Sequence, residues 1–359
     1  MAGVRRTWRG CRALLLAALF LCVPVQSDRD LRAEAGKAAA PKSAYVLKIP
    51  FGLEDVAGYI PADNPLTAEK VELGKLLFFD MRLSFNNTVS CGSCHLPHLA
   101  WTDGRQFGLG IHGQPASRNS QTIVNRVYST EQLWDGKRPS LESQAKNPLT
   151  KPNRMGMPSA EALVAKLNAI PGYREWFQKV FGTDVTIDGV AKAIAAFERT
   201  ILSGNSPADR YDMGGEENAI SDSAKRGLAL FQGKARCTRC HSGFNFSDEK
   251  FHNLGIDWDK DQVDVGRYLA SKDPEDIGAF KTPTLREISL TAPYMHDGRF
   301  LTLKEVIDFY DKGGIQNPHL SNLIIPLNLT DQEKADLVEY MRSLNGEGLQ
   351  MAPPVEFPR

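Results

Sequence analysis

The sequence predicts an all-α protein made of two modules related by a weak internal duplication. Three observations carry this. The pattern Cys91-Gly-Ser-Cys94-His95 recurs as Cys237-Thr-Arg-Cys240-His241. Each copy follows a helical run that ends in aromatics, Leu73 to Phe79 before the first and Gly227 to Phe231 before the second. A further apolar-periodic run, Ala335, Leu337, Val338, Tyr340, Met341 and Leu344, opens behind Thr330-Asp331 and stops at Gly346, giving the second module a closing helix.

Taken in chain order, residues 1–27 read as an export signal. Arg-rich Met1 to Arg12 is followed by apolar Ala13 to Val23 and a small-residue cleavage site at Val25-Gln26-Ser27. The apolar run is short for a bilayer, a retained N-terminal anchor being the other reading, and no later segment is apolar enough to cross. Residues 28–48 form a polar, Ala-rich lead. The first module spans 49–205 and the second 206–346, and the boundary lies in the Gly/Asn/Pro/Asp-rich stretch Ser203 to Met213. Helical patterns cover about Ser159–Phe181 and Ile187–Leu202, and Ser221 or Asp222 caps the helix before the second motif. Residues 347–359, with three prolines, form a tail along the surface.

Hydrophobic residues are 42% and charged residues 24% of the 359, which excludes wholesale disorder. Lys plus Arg equals Asp plus Glu at 43 each, so no global basic field points to nucleic acid. Four of those bases leave with the signal, so the mature chain keeps 39 against 43 acids.

Export also removes Cys11 and Cys22, which leaves only Cys91, Cys94, Cys237 and Cys240 of the 6 cysteines. The C-x-x-C-H pattern is the attachment site of c-type haem. Two thiols add to the two vinyl groups, and the adjacent imidazole reaches the iron from the proximal side. A disulfide, a redox pair or a zinc knuckle could account for one copy. Two copies in an exported chain with no other cysteine favour two covalent haems, so the modules read as cytochrome c-like haem domains.

The segments Gly74-Lys75-Leu76-Leu77-Phe78-Phe79-Asp80, Arg118-Asn119-Ser120, Leu133-Trp134-Asp135-Gly136, Thr282-Pro283-Thr284-Leu285-Arg286 and Leu290-Thr291-Ala292-Pro293-Tyr294-Met295-His296-Asp297-Gly298 follow one another in this order. In this the chain resembles the bacterial di-haem cytochrome c peroxidase and MauG family, over roughly Pro50 to Gly346. The resemblance implies a methionine or a tyrosine on the second iron, fourteen residues after His296. That position is Tyr310. Tyrosine there is similar to the MauG branch and to relatives that oxidise tryptophan on partner proteins. A thioether favours ferrous iron and a high potential, whereas an anionic phenolate favours oxidised iron and a low one. The other reading makes Tyr310 a core aromatic, with Met295 or Met341 as the ligand.

The resemblance also implies that the haem held by His95 is the peroxide site, with Gln144 and Pro148 in its distal pocket. Many relatives carry a glutamate six residues after the proline, where this chain has Arg154. Arginine can polarise the O–O bond but cannot take a proton as a base. Glu142 and His112 are the stand-ins. His112 is a displaceable ligand that gates the site, a pocket base, or an exposed loop residue. Trp134 is expected to relay electrons between the haems, or simply to pack in the core. Calcium is expected on the Asn119 side chain and the Thr291 and Pro293 carbonyls, fixing the two haem domains relative to each other. His98, His252 and His319 show no ligand spacing and read as surface residues. Trp101, Trp176 and Trp258 carry no motif.

The combined expectation is a periplasmic di-haem enzyme that reduces hydrogen peroxide at the His95 haem. It stores oxidising equivalents over both haems and passes them to a residue of a partner protein. The alternatives are a conventional cytochrome c peroxidase fed by a small cytochrome or cupredoxin, and a non-catalytic di-haem electron carrier. Neither nucleic acid nor stable membrane insertion is expected.

Overall fold

The structure, a computed structural model, describes residues 44–349 and 351–359. The export signal and the lead up to residue 43 lie outside the described residues. Residues 42–359 form one compact unit. The helices are α1 (Ala68–Phe79), α2 (Leu141–Lys146), α3 (Ala160–Asn168), α4 (Pro171–Phe181) and α5 (Ile187–Glu198). After them come α6 (Pro207–Asp212), α7 (Asp222–Gln232), α8 (Tyr268–Ser271), α9 (Leu303–Asp311) and α10 (Asp331–Arg342). The described residues hold one small antiparallel sheet, β1 (Phe251–Asn253) on β2 (Ala279–Lys281), with His252 opposite Phe280. The architecture is therefore mostly helical, as expected, with a sheet that three-residue strands do not announce in sequence.

Local chemistry sets the helix ends. Thr67, Ser140, Ser159, Thr186, Ser221, Thr302 and Thr330 each accept a first-turn N–H on their side-chain oxygen. The expected helical stretch 159–181 is split in two. Pro171 has no N–H to donate and starts α4 at its first position, so α3 ends before it.

Two larger hydrophobic cores and a smaller one, Val56, Val127, Tyr128 and Leu202, build the described residues. In the first, α1 packs on α5, burying Leu73, Leu77, Phe78 and Phe197 around Trp101. In the second, α7 packs on α10, burying Phe231, Leu337, Tyr340 and Leu344. Both crossings depend on a glycine. A Cβ on Gly74 would lie 1.9 Å from the Ala193 carbonyl oxygen, and one on Gly227 would lie 2.0 Å from that of Asp336. Backbone cannot give way as a flexible side chain can, so Gly74→Ala or Gly227→Ala is expected to cost about 3 kcal/mol or more of stability. Urea unfolding measures it, and a cost below about 1 kcal/mol would refute this account of the crossings.

The duplication extends to the loops. Asn125 adopts φ 57° before the turn Arg126–Tyr128, and nine residues on is Trp134. Glu287 adopts φ 63° before the turn Ile288–Leu290, and nine residues on is His296. Gln132 bridges Arg138 around Trp134 as Tyr294 bridges Phe300 around His296. Leu133 and Gly136 have φ 74° and 65°, and Met295 and Gly298 have 71° and 62°. Six residues after each central ring comes a helix cap, Ser140 or Thr302, and fourteen after comes Pro148 or Tyr310. Pro148 and Tyr310 are thus the same position in two copies of one loop–helix unit. The central rings of these units meet, Trp134 and His296 lying 6.4 Å apart at 68°.

The last segment adds contacts to the expected surface tail. Residues 351–359 return from the second half to the first core, where Met351 and Phe357 pack. Gly172 N–H donates to the Arg359 carbonyl (2.7 Å) and the Arg82 guanidinium to that of Pro358 (2.9 Å). The tail therefore lies along the surface and is fastened there by these contacts.

Candidate active site: two haem cradles

Both motifs fold as a short 3-10 turn, Cys91–Ser93 and Cys237–Arg239, in the loop that follows α1 and α7 respectively. All four thiols are free. Burial pushes those of Cys91 and Cys94 up, and that of Cys237 to about 12, so these three are not reactive thiolates. His95 Nδ1 lies 3.0 Å from the Trp101 carbonyl and His241 Nδ1 lies 2.9 Å from that of Phe246. A carbonyl only accepts, so the proton is on Nδ1 and each Nε2 keeps its lone pair. Burial lowers both imidazole pKa values and holds the rings neutral. Two thiols and a neutral imidazole of fixed tautomer, in each half, fit a c-type haem and no disulfide.

The second cradle is a deep, mostly apolar cavity. Cys237, Cys240 and His241 form one part of its lining, and Tyr310, Met295 and Met341 also reach it. Tyr310 is distinguished from the two methionines by its register. Its phenol is held well above the usual range by burial. A phenolate at this place therefore requires a cation beside it.

In the first half, Gln144 sits on α2 and its Oε1 is buried with no hydrogen-bond partner. Pro148 follows directly after α2, and its carbonyl accepts from Met155 N–H (3.2 Å). Arg154 lies beside Cys94, Asp103 and His95. Proline offers no ligating atom where Tyr310 offers an oxygen. His112 is exposed in the left-handed region, φ 58°, on a loop whose Ile111 N–H donates to the Arg154 carbonyl (2.8 Å).

Glu142 is corrected as a candidate base. Arg199 donates to both its oxygens (2.6 and 3.1 Å) and Asn64 to one (2.7 Å). Against the opposing effect of burial, these partners bring its pKa down to about 2. An unfolded glutamate titrates near 4.5, so the pair stabilises the fold above that pH and loses its contribution as pH falls through 2. Glu142→Gln is expected to cost about 1–2 kcal/mol at pH 7, after allowance for solvent screening, and almost nothing at pH 2. Urea unfolding at the two pH values checks it.

Between the cradles, Trp134 lines the second cavity and donates its indole N–H to the Asn119 carbonyl (3.0 Å). Asn119 N–H donates in turn to the His296 carbonyl (2.7 Å). The Asn119 side-chain NH2 is used by the carbonyls of Arg105 (2.9 Å) and Gln106 (3.3 Å), leaving Oδ1 as the end available to a cation. Thr291 and Pro293 line the same cavity as Asn119.

Several functional neighbours were missed. His252 is no surface residue. It lines the second cavity, where Asp248 (2.8 Å) and the Cys240 sulfur lift its pKa to about 9. Cys240, Asp248 and His252 place ligating atoms within 4.8 Å of one another, although Cys240 belongs to the haem motif. Glu198, at the end of α5 and near Cys91, is buried, which lifts its carboxyl to about 8. His296 is buried, stacked on Phe280 at 3.5 Å and bonded to Asp257 (3.1 Å). Only tertiary contact identifies His252 and Glu198, whereas His296 belongs to a block already legible in the sequence and only its ring partners are new. Of the others, His98 is exposed, His319 packs on Trp258, and Trp101 and Trp176 serve the first core.

This geometry defines a protein with two c-type haem cradles in unequal surroundings. Comparison with known proteins makes the class specific. A family model described as Di-haem cytochrome c peroxidase matches residues 68–218, and one described as Cytochrome c matches 224–345. The chain is 42% identical over 296 residues to the methylamine utilization protein MauG of Methylorubrum extorquens, covering 82% of this chain and 83% of that one. It is 40% identical over 317 residues to the cytochrome-c peroxidase IdrP1 of Pseudomonas sp. (strain SCT), covering 80% and 83%. A solved MauG-like protein associated with microbial copper homeostasis superposes with TM-score 0.74 at 34% identity, covering 88% of this chain and 96% of that one. The diheme peroxidase BthA of Burkholderia thailandensis shares the fold, with TM-score 0.71 at 21% identity over 85% and 94%. The chain belongs to the di-haem cytochrome c peroxidase and MauG family. It is an oxidoreductase of the haem peroxidase type, and its domains imply two c-type haems. Among the described residues no helix is long and apolar enough to cross a membrane.

Proposed function

We propose that this protein is a periplasmic, MauG-like di-haem peroxidase, taking hydrogen peroxide at the His95 haem and oxidising a residue of a partner protein. The observation that carries the proposal is the equivalence of Pro148 and Tyr310. One copy of the loop–helix unit ends in a residue that cannot ligate, leaving room for peroxide, and the other ends in a phenol that can cap the second iron. When attached, the haems supply the iron that binds peroxide and the redox capacity that holds two oxidising equivalents.

The chain's own residues do the rest. His95 and His241 present Nε2, each ring fixed by its Nδ1–H bond to a backbone carbonyl. Gln144 offers a buried acceptor to a peroxide proton. Trp134, held by the Asn119 carbonyl, is the relay between the cradles, and Tyr310 disposes the second iron to stay oxidised. Residues 49–205 and 206–346 are the two haem domains. Calcium on Asn119, Thr291 and Pro293 ties them together, and its removal by EGTA is expected to lower the melting temperature. An identical melting curve in EGTA and in calcium would dismiss that ion.

The second reading is a conventional cytochrome c peroxidase, favoured by the 40% identity to the cytochrome-c peroxidase IdrP1 of Pseudomonas sp. (strain SCT). Peroxide added to the resting ferric protein separates the two. Immediate spectral change supports the MauG-like reading. A protein inert until one haem is reduced, with reactivity released by His112→Gly, supports the conventional one.

A further inference from the structure

One buried guanidinium has no counter-charge among the described residues. Arg126 is 8% exposed and lines the second cavity together with His241 and Tyr310. Its Nε and Nη2 donate to Gln132 Oε1 (2.9 and 2.6 Å), and Nη2 also to the Glu131 carbonyl (3.3 Å). These partners are neutral, and Nη1 has none among the described residues. The other two buried arginines are each paired, Arg199 with Glu142 (2.6 Å) and Arg286 with Asp209 (2.7 Å). Lys281, buried on the same cavity, is paired with Glu249. A guanidinium cannot shed its proton, so a buried one without an anion bears the whole cost of its lost hydration.

Neither neighbouring carboxyl supplies that anion. Glu198 and Glu249 act on Arg126 only through space, without an ion pair. Burial lifts Glu198 to about 8, which leaves it protonated and uncharged near neutral pH. Glu249 is committed to Lys281 and accepts from Ser129 Oγ (3.0 Å). The missing charge is therefore left to whatever fills the cavity. A c-type haem brings two propionate carboxylates, on the edge opposite the vinyl groups that Cys237 and Cys240 hold. Guanidinium is the side-chain group whose fork matches a carboxylate. The position itself reaches inward in both copies of the unit. Arg126 opens its turn as Ile288 opens the matching turn, and Ile288 lines the same cavity.

We propose that Arg126 is the counter-ion of a propionate carboxylate of the haem held by His241. Its Nη1 end meets the carboxylate while Gln132 holds the other side of the guanidinium. This rests on the His241 cradle holding a haem, and on neither the peroxide nor the partner-protein reading. Gln132 also bridges Arg138 around Trp134. The loop that carries the relay is thus tied to the same guanidinium that holds the haem edge.

The test uses the full-length, haem-loaded protein, titrated spectroelectrochemically with the two haems followed separately. Arg126→Leu removes a cation and leaves a carboxylate unpaired, and both changes favour oxidised iron. At about pH 9 the reduction equilibrium of the His241 haem is expected to move on the order of tenfold toward the oxidised form, about 59 mV for one electron. The shift should shrink toward about pH 6, where the unpaired carboxylate takes a proton. Arg126→Gln is the second charge-removing variant and is expected to behave in the same way. Arg126→Lys keeps the charge and should stay within about twofold of the wild type. An unmoved His241 haem in the two charge-removing variants overturns the inference, as does a shift confined to the His95 haem. A lysine variant that shifts as far as the leucine one overturns it too, because that reports lost packing rather than lost charge. A wild-type potential that follows chloride concentration at constant ionic strength overturns it by assigning the counter-ion to solvent. A single haem per chain in the wild type, counted as the pyridine haemochrome, overturns the reading of the His241 cradle as well. Two haems with an unmoved potential overturn the inference alone.

Discussion

Replacing Tyr310 with methionine is expected to raise the reduction potential of the second haem by on the order of 0.1–0.3 V, within the roughly 0.8 V that axial ligands span. The argument starts from burial. The phenol stands in an apolar cavity that disfavours its anion, so only a trivalent iron makes the phenolate worthwhile. Reduction removes one unit of that charge and weakens the bond, which is the same as saying that the ligand favours the oxidised metal. A thioether carries no charge and has the opposite preference. Spectroelectrochemical titration of the two proteins measures the shift. An unmoved potential would return the ligand to Met295 or Met341, both of which reach the same cavity.

The second large effect is at Trp134. Trp134→Phe keeps an aromatic ring but deletes the indole N–H that the Asn119 carbonyl accepts. The orphaned carbonyl should cost about 1–3 kcal/mol of stability. The functional loss is expected to exceed that. With the relay gone, an oxidising equivalent made at the first cradle should reach the second on the order of tenfold more slowly, or not at all, which a barrier only about 1.4 kcal/mol higher produces. Stopped-flow spectra after peroxide, followed separately for the two haems, measure it. An unaltered rate at the second haem would leave Trp134 a packing residue.

Much of this was legible in the sequence, for identifiable reasons. Covalent haem attachment demands two thiols and an imidazole at one spacing, so the motifs were readable without tertiary structure. Helix caps were readable because a hydroxyl must lie three residues from the N–H it accepts, as at Ser221 and Thr330. The cradle walls were not. His252 looked like a loose surface histidine because its partners come from another part of the turn and from the haem motif itself. Glu142 looked like a spare acid because Arg199, which neutralises it, is far along the chain. The kinship of Trp134 with His296 was hidden by the difference between indole and imidazole, and it emerged only from matching backbone turns. The tail runs along the surface without a helix, and its contacts with the first core through Met351 and Phe357 carry no local sequence signal.

Asn119 joins the two copies of the loop–helix unit through the two peptide groups that flank its Cα. Its N–H is tied to His296 in the second copy of the loop–helix unit and its C=O to the indole in the first. A shift of a few tenths of an ångström between the copies cannot be absorbed there without lengthening one bond or turning the indole. The spacing of the two copies and the orientation of the Trp134 ring are therefore set by one and the same residue.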